Sequence, residues 1–201
     1  MRNYQKELDE FISMNCAEEK PRLFLHCCCA PCSSYVTEYL HEFFDITVFF
    51  YNPNITEPDE YEKRKAELKR YLSEVSYGKE IGFIDADYDP ESFFKAANGL
   101  EDEPERGARC DKCFRLRLSK TAEAAKENGF ELFCTTLSIS PHKDADLLMS
   151  IGEELAEKYG LKYLPSDFKK KNGYKRSIEL SAEYDLYRQN YCGCVYSKPK
   201  E

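Results

Sequence analysis

The sequence predicts an α/β protein whose mostly parallel sheet is covered by helices. Short apolar runs rich in β-branched and aromatic residues, such as "DITVFF", alternate with longer charged segments whose apolar residues keep helical spacing. This alternation is typical of right-handed crossovers between parallel strands. With 201 residues the chain can bury one sizeable core. We expect an N-terminal helical extension at residues 1–20 and a single α/β domain at residues 21–201.

Turn residues and apolar periodicity predict the elements in chain order. The predicted strands cover residues 22–27, 45–52, 80–87, 130–140 and 161–165. The predicted helices cover residues 2–15, 33–44, 57–76, 90–97, 111–128, 141–159 and 175–189. Pro21 precedes the first strand and Pro53 ends the second, because proline interrupts regular backbone pairing. Ser33 and Ser34 can cap the helix that follows the first strand.

The second half of the chain is punctuated by glycine and proline. Residues 98–108, "NGLEDEPERGA", form an acidic loop that we expect to be exposed. Gly129 and Gly160 are expected to end the two long helices that precede them. Pro141 is expected to open the helix that runs to Tyr159. Ligands of such open sheets bind at the carboxyl ends of the strands.

Composition and charge narrow the class of protein. No apolar run approaches the roughly 20 residues that cross a bilayer, and the polar N-terminus does not resemble a signal peptide. We therefore expect a cytoplasmic protein whose thiols stay reduced. The net charge of −8 argues against bulk non-specific nucleic-acid binding, although the basic segments at 106–117 and 168–176 allow contact with a folded RNA at one face.

Ten cysteines are unusual for a reduced protein and indicate metal binding or redox chemistry. Eight of them form three groups: Cys27-Cys28-Cys29-Ala-Pro-Cys32, Cys110-Asp-Lys-Cys113 and Cys192-Gly193-Cys194. The first group follows the first predicted strand, where a ligand site is expected. The second opens a helix, whose dipole and free N–H groups lower the pKa of a thiol. Cys134 and Cys27 are more typical of core packing, and Cys16 has no assigned role.

The spacing of the cysteines does not by itself identify the metal that they would bind. Neighbouring side chains diverge, so adjacent Cys28 and Cys29 favour an iron–sulfur cluster, whose irons take one thiolate each, over a single zinc ion. A thiol–disulfide oxidoreductase remains an alternative interpretation of the C-x-x-C pattern. Cys192 and Cys194 are too close for an unstrained disulfide, but a strained bond there would be a redox pair. The pair can equally supply ligands to a second metal.

Several motifs in order resemble the cobalamin-independent epoxyqueuosine reductases. They are "CCAPCSS" at 28–34, "YNPNI" at 51–55, "RCDKCFRLRL" at 109–118, "TTLSISPHKD" at 135–144 and "GYKRS…YRQNYCGC" at 173–194. The resemblance runs from about Leu23 to Tyr196. It implies a fold similar to the Rossmann-like domain of adenine-nucleotide α-hydrolases. It also implies the last step of queuosine synthesis, in which the epoxide on a modified guanosine of the tRNA anticodon is reduced to the alkene.

The resemblance also implies site residues and partners. Cys28, Cys29, Cys110 and Cys113 look like the ligands of a [4Fe–4S] cluster. Cys32, Cys192 and Cys194 match further family cysteines, which would hold a second iron or zinc ion or act as a thiol pair. Cys27 is an extra residue that we expect to be dispensable. The ATP-binding Gly-rich loop is absent, so no nucleotide cofactor is implied; the partners are the tRNA and an electron donor that the sequence does not identify.

Proton donors and RNA contacts are also expected. Asp111 and His142 are candidate acids, although Asp111 also suits a helix N-terminus. Tyr174 and Tyr191 are candidates for stacking on bases. The candidate phosphate-binding cations are Lys169, Lys170, Lys171, Lys175, Arg176 and Arg188. We expect the acidic loop to lie away from the RNA face. A zinc-structured RNA-binding module is a further alternative to the enzyme.

Overall fold

The computed structural model describes residues 2–198 and contains one five-stranded parallel sheet. Its strands are β1 (Arg22–His26), β2 (Asp45–Phe50), β3 (Gly82–Asp85), β4 (Leu132–Thr135) and β5 (Lys162–Tyr163). Its α-helices are α1 (Tyr4–Asn15), α2 (Ala30–Leu40), α3 (Pro58–Glu74), α4 (Pro90–Ala97), α5 (Ala108–Glu127), α6 (Ala145–Tyr159) and α7 (Gly173–Glu183). The strand order β3-β2-β1-β4-β5 confirms the predicted Rossmann-like α/β fold.

Strand β1 is central, and its alternating side chains supply both halves of the core. Leu23 and Leu25 face a cluster that includes Leu40 of α2 and Leu68 of α3. Phe24 faces the opposite cluster, which α5 and α6 cover. The chain passes from β1 outward to β3 and then returns to β4 on the other side of β1. The order of strands therefore reverses between β1 and β4, where open sheets place their ligand sites.

Two predicted boundaries next to this reversal are wrong. The strand expected at 130–140 ends at Thr135 and continues as a 3₁₀ turn, Thr136–Ile139. Helix α6 begins at Ala145 and not at Pro141, because the carboxylate of Asp144 caps it by accepting from two backbone N–H groups. Residues 136–144 consequently form a loop over the carboxyl end of β4.

Helices α2 and α7 also differ from their predictions. Helix α2 starts at Ala30 with Cys29 at its N-cap, so the serines do not cap it. The hydroxyls of Ser33 and Ser34 instead donate to the carbonyls of Cys29 and Pro31. Helix α7 ends at Glu183, six residues before its predicted end at 189, and the chain after it is irregular. That irregular chain carries Gln189 to Cys194 back toward the sheet.

Helix α1 packs on the sheet domain through Leu8, which is fully buried in the core. The Tyr4 hydroxyl donates to Asp146 of α6 at 2.6 Å. The division into an extension at 1–20 and a domain at 21–201 stays a prediction, and residues 1 and 199–201 lie outside the described residues. Within residues 2–198, the helices are too short or too polar to cross a membrane.

Gly152 allows α6 to lie against β5. A Cβ on Gly152 would overlap the ring of Tyr163. We expect Gly152→Ala to destabilise the fold by about 1–3 kcal/mol, the cost of overpacking a dense core, in spite of the better helix propensity of alanine. Urea unfolding followed by circular dichroism measures the effect. Ser150→Ala, on the exposed side of α6, is the control. A Gly152→Ala protein as stable as wild type would contradict this packing.

Candidate active site

A cavity of about 340 Å³ opens at the carboxyl ends of β1 and β4. Most of its wall is formed by three segments of the chain. These are the turn between β1 and α2, the loop after β4 and the irregular chain after α7. The lining includes Cys28, Cys32, Arg117, Lys143 and Cys192. Its position at the reversal of strand order is the one at which this fold class binds ligands.

Cys28, Cys29 and Cys32 form a compact thiol trio, with all three sulfurs within 4.8 Å of one another. The sulfurs of Cys28 and Cys29 are 3.7 Å apart, so these neighbouring side chains converge and do not diverge as expected. A tetrahedral ion with metal–sulfur bonds of about 2.3 Å places its sulfurs about 3.8 Å apart. The trio therefore fits a thiophilic metal.

Hydrogen bonds between the three thiols of the trio shift their pKa values in different directions. Hydrogen bonds from Cys29 and Cys32 lower the pKa of Cys28 well below its ordinary value, although burial opposes this. Hydrogen bonds to Cys28 and Cys29, together with burial, raise the pKa of Cys32. The side-chain amide of Gln189 donates to the Cys29 sulfur at 3.0 Å. One thiolate supported by two thiol donors is a ready metal ligand.

A second group of cysteines lines a small void of about 20 Å³. Its members are Cys110, Cys113, Cys192 and Cys194. Burial raises the pKa of Cys113 to about 12. The Cys110 sulfur accepts the backbone N–H of Arg106 at 3.3 Å. Cys192 lines both the void and the large cavity, so it lies between the two groups. All ten cysteines are free thiols in the structure.

A buried network of polar side chains, which reaches the cavity at Arg117, fixes the end of β1. The imidazole of His26 donates through Nε2 to the Tyr51 carbonyl, so its Nδ1 accepts from the Thr135 hydroxyl at 2.8 Å. Burial, with help from Arg117, lowers the pKa of His26 to about 3 and keeps the ring neutral. Arg117 donates to the Asn52 side chain at 2.6 Å, and Asn52 donates to the Cys27 carbonyl. These contacts fix the end of β1 and therefore the turn that carries the trio.

Lys143 contacts the second cysteine group through Cys192. Its ammonium donates to the Cys192 sulfur at 3.4 Å and to Glu105 at 3.1 Å. Burial alone would lower the pKa of Lys143, but the charges of Cys192 and Glu105 outweigh it and raise this pKa. The carbonyl of Cys192 accepts from Arg64 and Asn54, which holds the cysteine in place. Lys143 therefore keeps its proton inside the cavity.

The other predicted residues of the reaction lie at different distances from this centre. His142 borders the cavity, whereas Asp111 lies on the partly exposed side of α5, outside both cavities, in an ion pair with Arg115 at 2.9 Å. Cys27 and Cys134 are fully buried in the core, as predicted. Cys16 lies at the end of α1. The acidic loop does reach the cavity, because Glu105 is one of the lining residues.

The predicted RNA-binding residues divide into two sets. Tyr174, Arg188 and Tyr191 line the cavity, and Lys170 and Lys175 are exposed nearby in sequence. The remaining three are engaged within the protein: Lys169 with Asp167 and the Ser138 carbonyl, Lys171 with Asp9, and Arg176 with Glu38. Tyr174, Arg188 and Tyr191 are thus the predicted residues that can contact a ligand in the cavity.

A family model described as Epoxyqueuosine reductase QueH matches residues 23–200. The chain belongs to the epoxyqueuosine reductase QueH family. A protein of that name from Streptococcus pyogenes serotype M1 is 46% identical over 198 residues, which are 97% of this chain and 78% of the relative. A relative of the same name from Staphylococcus epidermidis is 42% identical, over 99% of this chain and 86% of the relative. Another, from Thermotoga maritima, is 37% identical, over 87% of this chain and 89% of the relative. Membership in QueH confirms the predicted class of enzyme, an oxidoreductase.

Sequence reasoning missed Arg117, Lys143 and Gln189 as site residues. Arg117 follows Cys113 by four positions on a predicted helix, and that spacing places both on one face. The spacing was therefore a usable signal. Lys143 and Gln189 had none of this kind, because their positions depend on loops that come from distant parts of the chain.

Removal of the Cys28 sulfur is expected to weaken metal binding by at least about tenfold, since one of three convergent thiol ligands is lost. Competition for Zn²⁺ between the reduced protein and a coloured chelator, under anaerobic conditions, measures the affinity of Cys28→Ala. The neighbouring variant Cys27→Ala is the matched control, because Cys27 faces the core. Equal losses in the two variants would rule out the trio as the metal site.

Proposed function

We propose that this chain reduces epoxyqueuosine to queuosine at the wobble position of a tRNA anticodon, with an iron–sulfur group as its redox centre. This would be the last step of queuosine synthesis. The observation that carries the proposal is the thiol trio, which borders a cationic cavity at the reversal of strand order. The curated relatives supply the substrate, since they are named epoxyqueuosine reductase QueH.

The reaction consumes two electrons and two protons. Both carbon–oxygen bonds of the epoxide break, a carbon–carbon double bond forms, and the oxygen leaves as water. A [4Fe–4S] cluster, when bound, would supply the electrons one at a time. We propose Cys28, Cys29, Cys110 and Cys113 as its ligands, with Cys32, Cys192 and Cys194 holding a second iron or zinc ion or acting as a thiol pair. Cys192 lines both the large cavity and the small void, so the two cysteine groups lie next to each other.

The departing oxygen needs a hydrogen-bond or proton donor in the cavity. Lys143 satisfies this need, since its ammonium is buried, keeps its proton and lines the cavity. His142 borders the same space. Asp111 is less suited, because its carboxylate pairs with Arg115 outside the cavity. We therefore propose Lys143 as the principal donor to the epoxide oxygen.

The cavity also suits a base taken out of an anticodon loop. Its volume of about 340 Å³ is at the lower end of the range for small-molecule sites. Tyr174 and Tyr191 offer rings for stacking, and Arg188 offers a cation at the rim. Lys170 and Lys175 are exposed, and the contact of Lys175 with Glu179 is long, at 3.9 Å, so both ammonium groups can reach phosphates. We propose these five residues as the RNA contacts.

Activity is tested directly with the anaerobically reconstituted protein. We expect conversion of tRNA-bound epoxyqueuosine to queuosine with a strong one-electron reductant, detected by mass spectrometry of the digested nucleosides as the loss of one oxygen atom. Cys28→Ser should abolish turnover and reduce the iron content, whereas Cys27→Ala should keep most of both. Turnover without iron would favour a dithiol oxidoreductase. A colourless zinc protein that binds the tRNA without turnover would favour an RNA-binding module.

Lys143→Met tests the proton donor. We expect kcat to fall by about 10²–10⁴-fold, the range for a lost general acid, with unchanged iron content. Lys143→Arg, which keeps a charged donor, should recover part of the loss. Single-turnover rates and metal analysis are measured on the same samples. A Lys143→Met enzyme with wild-type kcat would assign the proton to another residue.

A further inference from the structure

Arg117 is one of three fully or nearly fully buried arginines, and its surroundings differ from those of the other two. Its side chain is 1% exposed. Arg64 pairs with the carboxylate of Glu60 at 2.6 Å. Arg109 donates to the backbone carbonyls of Leu100, Glu101 and Glu103. Arg117 donates to the neutral side chain of Asn52, and no carboxylate among residues 2–198 forms an ion pair with it.

A buried cation of this kind needs a negative partner. Removal of an unpaired charge from water costs several kcal/mol even after relaxation of the protein. Burial lowers the pKa of Arg117, but the sulfurs of Cys113, Cys28 and Cys192 oppose this effect and raise the pKa above its usual value. These three belong to both cysteine groups. Arg117 lines the large cavity together with Cys28 and follows Cys113 by one turn of α5, so it lies near both groups.

The guanidinium also has unused donor capacity. Its Nε–H is buried and has no hydrogen-bond partner among the described residues. Arg117 nonetheless lines the large cavity beside Cys28. A buried N–H without an acceptor costs about 1–3 kcal/mol, so this donor fits an anionic acceptor that occupies the cavity.

We propose that Arg117 is the fixed counter-charge of the metal centre, a positioning residue whose guanidinium offsets the negative charge of metal-bound thiolates and raises the potential at which the centre is reduced. This role rests on the proposed function, because it concerns the iron–sulfur group assigned there. Net charge and hydrogen bonds to sulfur are among the determinants of the potentials of such groups. Each added electron makes the centre more negative, so a buried cation favours the reduced state.

The test compares Arg117→Met, which removes the charge, with Arg117→Lys, which keeps it. Arg115→Met, on the exposed side of the same helix, is the control. In the reconstituted proteins, Arg117→Met should make one-electron reduction at least tenfold less favourable, which equals a potential lower by about 59 mV. Arg117→Lys and Arg115→Met should stay near wild type. Spectroelectrochemical titration under anaerobic conditions gives the potentials.

A second readout does not depend on iron. We expect Arg117→Met to bind Zn²⁺ at least tenfold more weakly than wild type, and Arg117→Lys to bind it nearly as well. Wild-type protein that takes up no iron would overturn the proposed function, while the zinc affinities would still decide the role of Arg117. If Arg117→Met does not fold, Asn52→Asp places a carboxylate beside Arg117 and should also lower the potential.

Three results would overturn the counter-charge role. Met and Lys variants that lose metal equally, with an unchanged potential in the fraction that loads, would assign Arg117 to structure alone. An Arg117→Met protein with wild-type potential and zinc affinity would remove it from the site. A wild-type potential in Asn52→Asp would contradict the charge argument in the same way.

Discussion

The geometry of the site depends on two hydrogen bonds made by the side chain of Asn52. Its amide donates to the Cys27 carbonyl at 2.9 Å, and its oxygen accepts from Arg117 at 2.6 Å. The Cys27 N–H in turn donates to the Phe49 carbonyl. Both backbone polar groups of Cys27 are thereby satisfied, and the direction of the chain into Cys28 and Cys29 is set. One asparagine thus joins the end of β1 to the helix that carries Cys113.

The cavity is lined mainly by positive charges, although the protein as a whole is negative. The chain carries a net charge of −8, yet Arg64, Arg117, Lys143 and Arg188 line this space. Glu105 is the one carboxylate among its lining residues. Low-dielectric walls concentrate such a field within the cleft, while the negative surface elsewhere disfavours unspecific contact with nucleic acid. The tRNA of the proposed reaction would therefore be attracted to this cavity and not to the rest of the surface.

The sequence predicted the place of all five strands, most clearly β1 and β2, which are local apolar runs. Gly160 also ends α6 with the expected left-handed backbone. The sequence did not predict which residues occupy the N-caps of α2 and α6. Asp144 was the true cap of α6, and Cys29 took the N-cap place expected of a serine. The four-cysteine group was visible in the sequence, but the convergence of Cys28 and Cys29 was not predicted, because adjacent side chains were expected to diverge. The place of Lys143 beside Cys192 could not be predicted either, since 49 residues separate them and two loops bring them together.

The acidic loop gives Lys143 its second partner, and the two partners are not equivalent. Cys192 is held through its carbonyl by Arg64 and Asn54. Glu105 is 44% exposed and belongs to a loop that Arg109 secures through backbone carbonyls elsewhere. An oxygen that enters the cavity can replace the exposed carboxylate at lower cost than the fixed sulfur, because water can solvate the released Glu105. In the proposed reaction, Lys143 would keep its contact with Cys192 while the N–H released by Glu105 turns toward the ligand.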